Sequence, residues 1–114
     1  MGFLDIRIEK TERAIKQAFM ELRAQKPVEK IKVKELCDLA CINKSTFYAH
    51  YEDIYELSSR LENKLIHVIL DSVPNVGLTA AHTEQLTRDL FHAFVQNQEA
   101  VNILFSGARQ GIFA

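Results

Sequence analysis

Only two prolines and four glycines interrupt these 114 residues. Between them the apolar residues recur three and four apart, with no strand-like alternation, so long helices must dominate. In residues 8–22, Ile8, Ile15, Phe19 and Leu22, with Ala18 beside them, form one stripe. Glu12, Arg13, Lys16 and Arg23 lie largely off it. Pro27 ends this helix, because proline disfavours the helical conformation in the residue before it. A short second helix over residues 33–40 turns Val33, Leu36, Leu39 and Ala40 inward. After a tight connection at Cys41-Ile42, Asn43 is suited to cap a third helix, since its side chain can accept from an exposed backbone N–H. That helix, residues 43–50, is roughly 12 Å long and cannot stand alone in water. Asp53 caps a fourth helix with the stripe Ile54, Leu57, Leu61, Leu65 and Val68, ending near Asp71. Pro74-Asn75-Val76-Gly77 is the clearest break. A fifth helix over residues 82–96 carries Leu86, Leu90, Phe91, Phe94 and Val95. A sixth begins near Glu99, carries Val101, Leu104 and Phe105, and meets Gly107. The expected fold is all-α.

Composition narrows the class. Hydrophobic residues make up 47% and charged residues 25%, as in ordinary soluble globular proteins. The length suits one domain, or a small domain with a fragment of a second. No apolar run reaches the ~18 residues a membrane span needs, and no secretory signal opens the chain. Gly2 is followed at position 6 by Ile, where a myristoylation motif has Ser or Thr. A cytoplasmic location without a membrane partner is expected. Cys37 and Cys41, four apart, have no histidine near them, and His67, His82 and His92 fall at no metal-like spacing. The cysteines read as packing residues, and no metal or cofactor is expected. A glycine-rich phosphate loop, an H-E-x-x-H pair and a nucleophile elbow are all lacking, so an enzyme is not expected.

Charge is unevenly distributed. The net charge is −1, yet residues 1–50 hold ten Lys or Arg against seven Asp or Glu, and residues 51–114 hold four against eight. A basic first half suggests one part that meets a polyanion and one that does not. Two short helices joined by a tight turn form the mechanical core of a helix-turn-helix, whose second helix enters the major groove. Such a helix needs apolar residues on one side and small, polar or basic residues on the other. Ile42, Phe47 and Tyr51 supply the first set; Lys44, Ser45, Thr46, Tyr48 and His50 supply the second.

These residues carry a resemblance. Ile15 and Ala18, then Val33-x-x-Leu36, then Ile42-Asn43-Lys44-Ser45-Thr46-Phe47-Tyr48-x-His50-Tyr51 and Leu57 resemble the N-terminal domain of the TetR family of bacterial transcription regulators. The Thr-Phe-Tyr-x-His form is most similar to the branch related to the dihydroxyacetone-kinase regulator DhaS. The resemblance implies a helix-turn-helix DNA-binding domain over residues 1–53. A linking helix and a partial C-terminal helical domain would occupy 54–114. It implies that Asn43 and the first turn of its helix, Lys44, Ser45 and Thr46, meet the major groove of double-stranded DNA, while Tyr48 and His50 grip phosphates. It also implies a homodimer, with a small-molecule effector or a protein coregulator acting on the full-length protein. Family members are longer, so the effector domain is expected to be incomplete here, with Ile112 and Phe113 left exposed at the end.

Three positions depart from the family pattern. Lys32 stands where a capping Thr is usual, a poor cap but a possible phosphate ligand. Cys41 stands where many members have Gly, so the turn must avoid the left-handed conformation or accept strain. Ile54 stands where a Lys commonly meets the DNA backbone, with Glu52 and Asp53 beside it. That last change weakens the expected affinity for DNA. It leaves open an alternative, a helical protein-interaction module acting as a coregulator with weak or lost DNA binding.

Overall fold

The computed structural model describes residues 3–72 and 80–106, and every regular element among them is a helix. In chain order these are α1 (Phe3–Arg23), a 3-10 turn (Val28–Lys30), α2 (Val33–Ala40), α3 (Lys44–His50), α4 (Ile54–Asp71), α5 (Ala80–Gln96) and α6 (Gln98–Ser106). The fold is all-α. The expected break at 74–77, the residues after α6 and the apolar tail at Ile112 and Phe113 lie outside the described residues.

α1 buries Ile15, Ala18 and Phe19 against α2 and α6, while Ile8 at the head of the expected stripe is 45% exposed. α2 buries Leu36 and Cys37. Leu39, expected inward, is exposed. Val33, Leu36, Cys37 and Ala40 share one arc of the helix, and Leu39 lies about 100° from its centre. Along α4 the buried residues run Ile54, Leu57, Ser58, Leu61, Leu65 and Ile69. Val68, expected at the end of that stripe, is exposed instead, because beyond Leu61 the buried row advances in steps of four.

One apolar cluster runs from Ile15 and Phe19 through Phe47, Leu57 and Leu61 to Ala93 and Leu104. It crosses the expected boundary at 53/54 without a gap, since α4 packs on the 3-10 turn as well as on α5 and α6. Leu104 is buried and Phe105 packs partly against this cluster. α5 buries Ala93 but leaves Phe91 70%, Phe94 50% and Val95 50% exposed. Those three project from the side of α5 opposite Ala93, so this helix is apolar on both faces.

Arg23 also departs from expectation. It was placed off the stripe, yet it is only 4% exposed, because α6 lies across the end of α1. Its guanidinium donates to Leu104 O at 3.4 Å and Lys26 O at 3.5 Å, and its Nε meets no acceptor among the described residues. A cation that never deprotonates needs such acceptors when buried. A carbonyl in the last turn of α6, at the negative end of that helix dipole, is a favourable one.

Candidate nucleic-acid interface

The connection between α2 and α3 is a helix C-cap built on Cys41. Cys41 N–H donates to Asp38 O at 3.3 Å, and Ile42 N–H reaches back to Cys37 O at 3.0 Å. This six-to-one closure requires a left-handed residue at the corner. Cys41 is that residue, at φ 60° and ψ 43°, the one non-glycine with positive φ among the described residues. Of the two outcomes open from the sequence, the turn has taken strain. Its thiol is exposed, while Cys37 is buried. Burial, and secondarily the nearby Asp38 carboxylate, pushes the Cys37 thiol upward, so it stays protonated and packs as a small apolar group.

Asn43 starts α3 as its residue type predicts. Its Oδ1 accepts from Thr46 N–H at 2.8 Å and from the Ser45 hydroxyl at 2.8 Å. Phe47 is fully buried on the inner side and makes an edge-to-face contact with Tyr48, their centroids 5.3 Å apart. Tyr51, which closes α3, is 8% exposed and stacks at a tilt on Phe47. Burial, with Glu12 nearby, pushes its phenol upward, while Arg60 pulls it down. With Phe47 and Tyr51 inward, Lys44, Ser45, Tyr48 and Ala49 are exposed on the outer side. Thr46 and His50, four apart on one flank, are half-buried.

The proposed contacts therefore divide. Lys44, Ser45 and Tyr48 share an outward face, and Thr46 edges onto it. Ala49 belongs to that face too and was missed by the sequence reading. Its spacing of four from Ser45 was the available signal, and its small side chain lets a partner approach the backbone closely. His50 is drawn away from the face. Its side chain is 16% exposed and its Nδ1 lies 3.4 Å from Glu12 Oε2 on α1, so a carboxylate already engages the ring expected to grip a phosphate.

Lys32 begins α2 and is exposed. An ammonium cannot accept a hydrogen bond, so it cannot cap in the usual way. Glu35, one turn on, accepts from Lys32 N–H at 3.0 Å instead. The same carboxylate takes Lys26 Nζ at 2.7 Å. That hydrogen bond first, then the one from the Lys32 backbone, holds Glu35 below its ordinary value of 4.5. Around this point Lys26, Lys30, Lys32 and Lys34 line a shallow depression of about 270 Å³ with Glu35 and Asp38. Lys34 pairs with Asp38 at 3.2 Å, an exposed contact that water screens heavily. The alternating lysines at 30, 32 and 34 were visible in the sequence, but only Lys32 was singled out.

The foot of α4 is acidic for a structural reason. Asp53 accepts from Glu56 N–H at 2.8 Å, and Glu56 Oε1 accepts from Glu52 N–H at 2.7 Å. The two carboxylates satisfy backbone donors at the positive end of the helix. Ile54 is 5% exposed and belongs to the core. The neighbouring Tyr55, at 57%, is the residue that faces outward there.

Among the described residues, no group of three or more His, Cys, Asp or Glu could hold a metal ion, and no helix is long and apolar enough to cross a membrane. Comparison with protein-family models, with curated proteins and with solved structures finds no match.

Proposed function

We propose that this chain is a sequence-specific DNA-binding transcription regulator of the TetR type, with α3 entering the major groove of double-stranded DNA. The observation that carries the reading is the two-sided character of α3. Phe47 and Tyr51 anchor it from within, while Lys44, Ser45, Tyr48 and Ala49 are exposed on the other side. A helix with its side chains is about 10–12 Å across, which a major groove about 12 Å wide admits. Lys44, Ser45 and Thr46 lie in its first turn, where side chains reach base edges. Ser45 is tied to Asn43 by its donor hydrogen, so it serves as an acceptor. Tyr48 and Lys32, with Lys30 beside it, supply phosphate contacts on either side. The phosphate contact of His50 is the weakest, since Glu12 already engages it. Helix-turn-helix regulators read two half-sites related by a two-fold axis. A homodimer formed through the outward Phe91, Phe94 and Val95 of α5 suits that requirement. A small-molecule effector or a protein coregulator would then act on the C-terminal helices.

The acidic foot of α4 and the apolar outer face of α5 favour one second reading, a helical coregulator that binds a protein instead of DNA. Selection of bound duplexes from a random pool, followed by titration of one selected and one scrambled site, separates the two. Thr46→Ala or Lys44→Ala is expected to change the preference between the sites by about 1–3 kcal/mol per good base contact. Tyr48→Phe is expected to weaken both equally, because a phosphate contact carries no base information. Lys32→Ala should lower the salt slope by about one. Absence of saturable duplex binding, or an unchanged ratio in both Lys44→Ala and Thr46→Ala, makes the coregulator the better account.

A further inference from the structure

We propose that the cleft between α1 and α4 binds a small, multiply charged anion bearing phosphate groups. The cleft is about 710 Å³ and is lined by Arg13 and Lys16 from α1, by Arg60, Asn63 and Lys64 from α4, and by the largely buried Tyr51 and Leu61. That volume lies within the ordinary range for small-ligand sites. Two carboxylates, Glu9 and Glu12, line it as well. Four cations therefore face two carboxylates across the cleft, a net charge of +2.

Three observations point to a ligand and not to a solvated surface. First, Arg13, Lys16 and Lys64 have no ion-pair partner among the described residues. Two cations from each helix thus share one concavity, and together they outnumber its two carboxylates, which favours an added anion. Second, Arg60 is already oriented. Its guanidinium lies 5.1 Å from the centre of the Tyr51 ring, and its only ion pair among the described residues is a loose 3.7 Å contact with Glu56. A guanidinium held over an aromatic face loses less freedom when its edge donors take up a phosphate, which it matches in bidentate fashion. Third, the largely buried Tyr51 and Leu61 add apolar surface to a lining that is otherwise charged or polar, so a ligand can cover carbon there beside its phosphates. The inference does not depend on DNA binding, but its consequence reaches α3. Tyr51 closes that helix, and Glu12 on the cleft wall holds His50. An occupant that pulls on Arg60, which lies over the Tyr51 ring, therefore acts one residue away from the recognition helix.

The test is a titration of the full 114-residue chain with inorganic pyrophosphate, followed by amide and side-chain NMR shifts. Running it at about 0.15 M salt screens isolated surface lysines. The expected result is saturable binding below about 10 mM, with the largest shifts at residues 13, 16, 51, 60, 63 and 64. Arg60→Gln and Lys64→Gln should each weaken it about tenfold, the loss expected for one charge-assisted hydrogen bond. Arg60→Lys should recover it only in part. Arg88→Gln, an exposed residue of α5, should leave it unchanged. Far-UV circular dichroism of each variant separates lost binding from lost fold. Shifts spread evenly over all lysines, or equal at residues 30, 32 and 34, would overturn the proposal. A DNA duplex that moves the cleft resonances when pyrophosphate does not would overturn it too, by assigning the phosphates to a nucleic-acid backbone.

Discussion

Replacing Cys41 by glycine should stabilise the protein, and the size of the gain can be worked from the turn itself. Cys41 holds φ 60° and ψ 43° at the corner between α2 and α3. An L-residue pays roughly 1–2 kcal/mol to stand there, because its Cβ crowds the following carbonyl. Glycine removes that clash but loses about 0.5–1 kcal/mol through the greater freedom of its unfolded chain. The Cys41 side chain is exposed, so little packing is lost with it. The net is a stabilisation of about 0.5–1 kcal/mol, which for a chain this size raises the melting temperature by about 2–6 °C. Thermal and urea unfolding of wild type, Cys41→Gly and Cys41→Ala measure it. Alanine keeps the Cβ and should leave stability nearly unchanged. If Cys41→Ala stabilises as much as Cys41→Gly, the effect belongs to the sulfur and the strain argument fails. If Cys41→Gly destabilises, the turn is not left-handed in solution.

Ile54→Lys, which the family pattern suggests would tighten binding to every duplex, should instead destabilise the fold by about 2–4 kcal/mol, because it removes a buried side chain and drives a cation toward the core; a tighter duplex affinity with unchanged urea midpoint would refute this. Glu35 is held below 4.5 by Lys26 and the Lys32 backbone, so its stabilising effect is present above pH 4.5 and is lost as the pH falls through its lower folded value. Urea midpoints at neutral and strongly acidic pH should therefore differ less for Glu35→Gln than for wild type. Alkylation of the native protein should label Cys41 well before Cys37, whose thiol is buried and kept protonated; mass mapping that finds Cys37 modified first would contradict the placement of α2.

The all-α class, the ends of α2 and the caps at Asn43 and Asp53 were legible in the sequence because they rest on local rules. A period of three and four needs only neighbouring residues, and an Asn or Asp three residues before an unsatisfied N–H caps it wherever the chain lies. The two sides of α3 were legible for the same reason, with Phe47 and Tyr51 four apart. What lay beyond reach depended on elements distant in the chain. Arg23 lies off the apolar stripe of its own helix, yet α6, 81 residues on at Leu104, closes over it. His50, expected at a phosphate, also meets Glu12, which α1 brings to it across 38 residues. Sequence alone set which faces were apolar, since that follows from backbone geometry and residue type. Tertiary packing decided which polar side chains those faces covered, because burial is a property of what arrives from elsewhere.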